Sequence, residues 1–532
     1  MGWVFSRKLL WAWFFLSAFL ISFQNCSNVQ FSDAPLDQAS VIPLCRPIDD
    51  ADLQPELLWD WYANLDKKDP SNLPDFSQVM STPMVADLDG DGFPEVVFST
   101  FTTNSSLWAP DRLPNSGSYT ANGVLRIIDG RTGITKKSIS DFSLAPFATT
   151  SPLLVDLDGD GKIEIVYGHY AGKYLIALNS DGSFRWKYEM RVTSASYSSF
   201  SAADFNNDGL ADIVTSTDVI SEDKDRAPHS LWTFDGNIYQ FGYEQRILGA
   251  AGVFAYGSSK LFSVPGARFV ATADLDNSVT GNEIVSTGNG TLNILSGEDG
   301  RVLYSSNLVS ISELKCPSGA VGGGVATIGD FDGHPENLEI AVATGKYLSI
   351  FDNRANLISK YETQDCSSLS TGISSFDFNG DGQPEILYAD EEYFRVFQLI
   401  NGELKVIQKL VNPSGTLLEY PVVADVDGNG SANIILASNN YAASSFYKSP
   451  SEQIDQAEAL KTTGVRAFRS RLESTWMPTR KIWNQADYNP GLITERGQPI
   501  AKMPTTIDNY LNRMFRRNAI LGSAEQRCIP KQ

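Results

Sequence analysis

The chain has 532 residues, 42% of them hydrophobic, with 42 glycines and a formal net charge of −21. That is the composition of a globular protein, and its acidic balance argues against nucleic acid as a partner. The three histidines, His169, His229 and His334, lack zinc-ligand spacing, and neither a Gly-x-Ser-x-Gly elbow nor a phosphate loop occurs.

In chain order, residues 1–26 read as a targeting segment: Arg7 and Lys8, an apolar run from Leu9 to Phe23, then Cys26. The run is short for a membrane span and has signal-peptide anatomy. A cysteine directly after it resembles a bacterial lipoprotein signal, which implies a lipidated Cys26 and a membrane anchor. Phe23 and Asn25 depart from the Leu and small residue of that signal, so an uncleaved anchor and an ordinary signal peptide are the alternatives. Residues 27–54 are polar and proline-spotted, as suits a tether.

From residue 55 a loop recurs. Asp87-Leu-Asp-Gly-Asp-Gly-Phe-Pro-Glu95 places carboxylates at its first, third, fifth and ninth positions, with a glycine at the sixth and a β-branched, apolar run after it. Ca²⁺ takes six to eight hard oxygen ligands, and alternate positions of a tight loop supply them. Copies begin at Asp156, Asp204, Asp274, Asp330, Asp377 and Asp425, so successive first aspartates lie 69, 48, 70, 56, 47 and 48 residues apart. A period near 48 with insertions is that of four-stranded propeller blades.

These seven copies resemble the FG-GAP/VCBS repeat proteins, whose fold is the β-propeller of the integrin α-subunit head. The resemblance implies an all-β, seven-bladed propeller over residues 55–468, with each loop joining the first and second strands of its blade and binding Ca²⁺. Carried over by position, the ligands are Asp87, Asp89, Asp91 and Glu95 with the Phe93 carbonyl, and Asp156, Asp158, Asp160 and Glu164 with that of Lys162. The third copy supplies Asp204, Asn206, Asp208 and Asp212 with Leu210, and the sixth Asp377, Asn379, Asp381 and Glu385 with Gln383. The seventh has Asp425, Asp427, Asn429 and Asn433 with Ser431, at lower charge. Copies four and five are one residue longer and keep Asp274, Asp276 and Glu283, and Asp330, Asp332 and Glu339. Four to seven bound ions are implied.

Between the loops, alternating runs closed by Asp-Gly or Asn-Gly mark hairpins, among them Val124–Ile128, Tyr174–Leu178 and Ser230–Phe234, each read as a third strand. Leu57–Trp61 reads as the outer strand that closes blade seven. Long connections between second and third strands run from Phe101 to Asn122, Thr217 to His229 and Asn439 to Thr463, and another joins two blades from Tyr243 to Gly266. All should open on the face opposite the metal loops. Their aromatics Trp108, Tyr119, Tyr441 and Tyr447 are the candidates for partner contact. Export favours disulfides, and of three connectivities the spacing favours Cys45–Cys528 and Cys316–Cys366.

Residues 469–532 differ in kind. From Gly464 the chain holds twelve Lys and Arg against five acids, around Trp476-Met-Pro-Thr-Arg480-Lys-Ile-Trp-Asn-Gln. This basic, aromatic extension is expected to dock on the acidic propeller. The resulting reading is a non-enzymatic, calcium-binding adhesion or interaction module of the bacterial envelope, as an outer-membrane lipoprotein, with a protein or glycan partner. The alternative is a carbohydrate-active propeller, a lectin or polysaccharide lyase.

Overall fold

The computed structural model describes residues 53–104, 107, 123–191, 200–234, 240–243, 246–249, 251–255, 257, 260–275, 282–308, 316, 321–440, 456–471, 476–488, 490, 493–499 and 518. Within them the chain forms eight four-stranded antiparallel sheets, each a propeller blade. Blade 1 comprises Met84–Ala86, Glu95–Thr100, Val124–Asp129 and Thr135–Ile139. Blade 2 comprises Leu153–Val155, Glu164–Gly168, Tyr174–Leu178 and Phe184–Glu189. The first three strands of both are almost wholly buried, and the fourth alternates, as expected of a sheet whose outer edge meets water. Blades 5, 6 and 7 repeat the plan from inner strands Phe269–Ala273, Thr327–Gly329 and Ser374–Phe376.

The expected seven blades are therefore eight. The additional one, blade 4, is built from Gln240–Tyr243, Arg246–Gly249, Gly252–Ala255 and Lys260–Phe262, within what reads in the sequence as a long connection. Two residues separate its first and second strands, which leaves no room for a nine-place loop and removes the repeat signature. Blade 3 corrects a second expectation. The segment from Thr217 to His229 is not an insertion: Asp218–Glu222 is the third strand, and Pro228–Thr233, which takes in most of the Ser230–Phe234 run, is the fourth. Asp218 and Glu222 disguise a strand whose five residues are all buried.

Closure of the ring joins the two ends of the fold. Pro55–Asp60 pairs antiparallel with Gly464–Ser470 and completes blade 8, not blade seven, beside Val422–Ala424 and Asn433–Ser438. Trp59 and Trp61, both buried, then donate to the Gly130 carbonyl at 2.6 Å and to Thr135 Oγ1 at 2.9 Å in blade 1, sealing the seam.

Inner strands leave one edge of backbone groups open toward the propeller axis. Residues 476–488 run along that edge. Val85 and Trp483 exchange backbone hydrogen bonds at 2.9 and 2.8 Å, the Leu154 N–H donates to the Asn484 carbonyl at 2.9 Å, and the Asp425 N–H donates to that of Arg480 at 3.0 Å. Gln485 Oε1 accepts from the Ala202 N–H at 3.0 Å. Trp476, Ile482, Trp483 and Tyr488 are buried in one core with the strands of blades 1, 2, 7 and 8. Among the described residues no helix is long and apolar enough to cross a membrane.

Candidate metal centres

The described loops are wound by their own carboxylates. In copies one, two and six the first-place aspartate accepts from the backbone N–H of the fourth and sixth residues: Gly90 and Gly92 on Asp87, both at 2.9 Å, and Gly159 and Gly161 on Asp156 at 2.8 and 2.9 Å. Gly380 and Gly382 do the same on Asp377 at 2.7 and 2.9 Å. The sixth-place glycines have φ of +84° to +90° in all five nine-place copies, a conformation that excludes most side chains. The last-place side chain reaches back to the N–H of the second residue in all seven copies. Glu95, Glu164, Asp212, Glu283, Glu339, Glu385 and Asn433 accept from Leu88, Leu157, Phe205, Leu275, Phe331, Phe378 and Val426 at 2.8–3.0 Å. The two longer copies, with Glu283 and Glu339, thus keep the closure of the others.

This geometry brings ligand atoms of Asp87, Asp89 and Glu95 within 4.8 Å of one another, and likewise Asp156, Asp158 and Glu164, and Asp330, Asp332 and Glu339. Fifth-place Asp91, Asp160, Asp208, Asp381 and Asn429 turn inward on the loop, accepting from the N–H of Phe93, Lys162, Leu210, Gln383 and Ser431. Third-place Asn206 and Asn379 donate to Asp208 and Asp381, and Asp427 accepts from Asn429. Asp274 is described and Asp276 lies outside the described residues.

The residues fit a hard cation. Asp212 Oδ1 and Asp425 Oδ1 are buried carboxylate oxygens without a close protein hydrogen bond, with Ser221 near the first and Lys481 near the second, and oxygen clusters of this kind suit Ca²⁺. Burial, reinforced by neighbouring aspartates, pushes the carboxyl of Glu339 up to about 8 and holds that of Glu385 well above the usual range. Asp212 and Asp425 are pushed up to about 6.

Sequence reading misses the cationic partners of these loops, Lys136, Arg185 and Arg226 among them. Lys136 Nζ lies 2.6 Å from Asp89 and 2.8 Å from Glu95. Arg185 Nη2 lies 2.7 Å from Asp158, and the same guanidinium pairs with Glu222 in the next blade, whose Oε2 also accepts from Trp186 Nε1. Burial works against ionisation of Asp158, yet Arg185 and Arg226 hold its carboxyl below the usual range. At Glu164 burial outweighs Arg185 and the carboxyl rises to about 8. Arg226, 2.9 Å from Asp158, sits in the turn after Glu222. That turn therefore opens on the metal-loop face, against the expectation for the Thr217–His229 segment, because a third-to-fourth hairpin returns to the side of the first.

The opposite face carries the blade-to-blade connections and the stems of two insertions. Gln78 ties the stems together: its N–H donates to the Phe101 carbonyl at 3.2 Å and its Nε2 to Asn440 Oδ1 at 3.0 Å. Trp108, Tyr119, Tyr441 and Tyr447 lie outside the described residues, as do Cys26, Cys45 and Cys528. A disulfide joins Cys316 to Cys366, linking the connections that flank blade 6.

Next to it lie three buried acids. Asp365 accepts from Ser368, Thr371 and Thr416, Glu391 from Gln364 and Ser367, and Glu419 from Ser414 and Leu417. Burial pushes Asp365 up to about 6 and Glu391 and Glu419 up to about 7. A folded pKa above the unfolded one gives stability that is complete below about pH 4 and lost as pH rises through 6–7. Each full shift is worth on the order of 3 kcal/mol. In excess calcium the melting temperature should therefore fall between pH 5 and 8, and Glu419→Gln should flatten that fall. An unchanged slope would remove Glu419 from the cause.

Among known protein families, the FG-GAP-like repeat matches residues 156–215 and 377–436. These spans run from the loops of blades 2 and 7 into the second strands of blades 3 and 8. No curated protein matches the sequence. Among solved structures, the V. cholerae biofilm matrix protein Bap1 is similar at 19% identity and a TM-score of 0.67, over 88% of this chain and 99% of that one. The quinohemoprotein alcohol dehydrogenase from Comamonas testosteroni is 11% identical at a TM-score of 0.34, over 79% and 77% of the two chains. The first likeness shows the fold, and the second carries no argument.

Proposed function

We propose that this chain, which carries FG-GAP-like repeats on an eight-bladed β-propeller, is a calcium-stabilised, non-enzymatic adhesion or interaction module of the bacterial cell envelope. The observation that carries the reading is one loop closure recurring in seven blades, with buried carboxylate oxygens at Asp212 and Asp425 that accept no close protein hydrogen bond. The first-, third-, fifth- and last-place side chains would hold the ion, with the seventh-place carbonyl. Bound calcium would supply positive charge that lets clustered carboxylates stay ionised, and so fix the loops of one face.

Rigid loops on the metal face leave partner recognition to the other, where Gln78 gathers the two insertion stems. The fold likeness to a biofilm matrix protein supports an extracellular, non-catalytic role. A lipidated Cys26 would tether the domain to the outer membrane through residues 27–54, with Cys45–Cys528 a second disulfide. The partner, protein or glycan, would meet Trp108, Tyr119, Tyr441 or Tyr447.

The test is expression of the full chain in a bacterial host. Wild type should fractionate with the envelope, Cys26→Ala should become soluble, and purified wild type should adhere to cells or a glycan array without cleaving polysaccharide. Identical fractionation of the two forms would remove the envelope half. Release of sugar fragments would remove the non-enzymatic half in favour of a lyase or glycosidase.

A further inference from the structure

All eight sheets break register at the same step. In each, one residue of the fourth strand stands unpaired opposite the third, a one-residue bulge. In six blades that residue is aliphatic: Leu58, Leu231, Leu261, Leu303, Ile358 and Ile407. In blades 1 and 2 it is Lys136 and Arg185. A bulge re-aims its side chain, and both cations reach the same two places of their own blade's loop, the third and the ninth. Lys136 Nζ meets Asp89 and Glu95 at 2.6 and 2.8 Å, and Arg185 meets Asp158 and Glu164 at 2.7 and 3.3 Å. These are also the two loops with a carboxylate at each of the first, third, fifth and last places. In blade 7 the loop has three and the bulge residue is Ile407, packed on the core.

We propose that Lys136 and Arg185 are resident cations that take the place of a calcium ion in blades 1 and 2, so that metal binding belongs to loops whose bulge residue is aliphatic. For those other loops the proposal rests on the calcium reading above. A divalent ion entering blade 1 or 2 would meet a like charge at the very carboxylates it needs. Blade 2 is committed further, since Arg185 also holds Glu222 and Asn179, and Arg226 adds a second guanidinium at Asp158. Loops that carry their own counter-charge would keep their shape when calcium is scarce, and blade 1 lies next to the seam where the ring closes.

Equilibrium dialysis of the full chain against radioactive Ca²⁺ counts the bound ions. Lys136 is partly exposed, so Lys136→Met should fold, and a melt in calcium checks that it does. It should add one ion per chain, with affinity at that loop raised by at least ~100-fold. Ile407→Lys should remove one ion from a chain that binds them. An unchanged count in Lys136→Met overturns the proposal. A wild-type chain that binds no ion, beside a Lys136→Met chain that binds one, upholds it while removing the calcium reading of the other loops. A Lys136→Met chain that also binds none removes both.

Discussion

Transfer from excess calcium to excess chelator should lower the melting temperature by on the order of 10 °C or more. In blade 6 the oxygens of Asp330, Asp332 and Glu339 lie within 4.8 Å of one another, and His334 Nδ1 lies 2.9 Å from Asp332. Without metal, carboxylates this close favour proton uptake or opening of the loop. An ion bound by the folded state alone adds about 4 kcal/mol at a thousandfold excess over its Kd, and two or three independent sites reach roughly 10 kcal/mol. The pH dependence has a definite sign. Glu339 rises to about 8 and Glu385 lies well above its ordinary value, so the metal-free fold binds protons that the unfolded chain releases. Its stability is complete below about pH 4 and lost as pH rises through 8. Chelated protein should melt lower at pH 8 than at pH 6. In calcium the loop carboxylates are ionised at both, and what remains is the smaller dependence from Asp365, Glu391 and Glu419. A melting temperature that ignores chelator at pH 8 would end the calcium reading.

The loops could be read from sequence because their chemistry forces residue types into fixed places: an aspartate to wind the turn, a glycine at positive φ, an acid to close it. Even the copies ending in Glu283 and Glu339 keep that closure despite an extra residue. Blade 4 could not be read this way. It has no loop, and with metal loops standing as the sign of a blade, its 70-residue interval passes for an insertion. Asp218–Glu222 failed for a different reason, since its acids lie buried against Arg185, Trp186 and Thr217 rather than facing water. The cations of blades 1 and 2 depend on a bulge, which shifts a side chain by one register step and leaves no compositional trace. For the C-terminal extension, the aromatic and basic residues announce docking. Their place on the axis follows only once eight inner strands present open edges there.

Trp483→Ala should cost about 4 kcal/mol, within the range for removing a buried aromatic from a packed core. The side chain is fully buried, stacks on Tyr488 with ring centres 4.7 Å apart, and donates to Tyr420 Oη at 3.3 Å. Its backbone forms the bridge to Val85, so loosening position 483 also frees donors on the inner strands of blades 1 and 2 that water cannot easily satisfy. Arg480 anchors the same segment from a buried position, donating to Tyr488 Oη and the Pro490 carbonyl at 2.9 Å and to the Ile493 carbonyl at 2.7 Å. The segment also touches the metal loops: Lys481 Nζ donates to the Gly92 carbonyl at 2.7 Å and Gln498 Nε2 to Asp156 Oδ2 at 3.1 Å. Stop codons before residue 476 should therefore do more damage than Trp483→Ala, giving aggregated chain instead of a soluble propeller, because several inner edges open at once. Urea unfolding of Trp483→Ala in calcium measures the first effect, and recovery of soluble protein the second. A truncated chain that stays soluble and melts like wild type would show that the ring closes without its axial segment, and the extension would then be free for another partner.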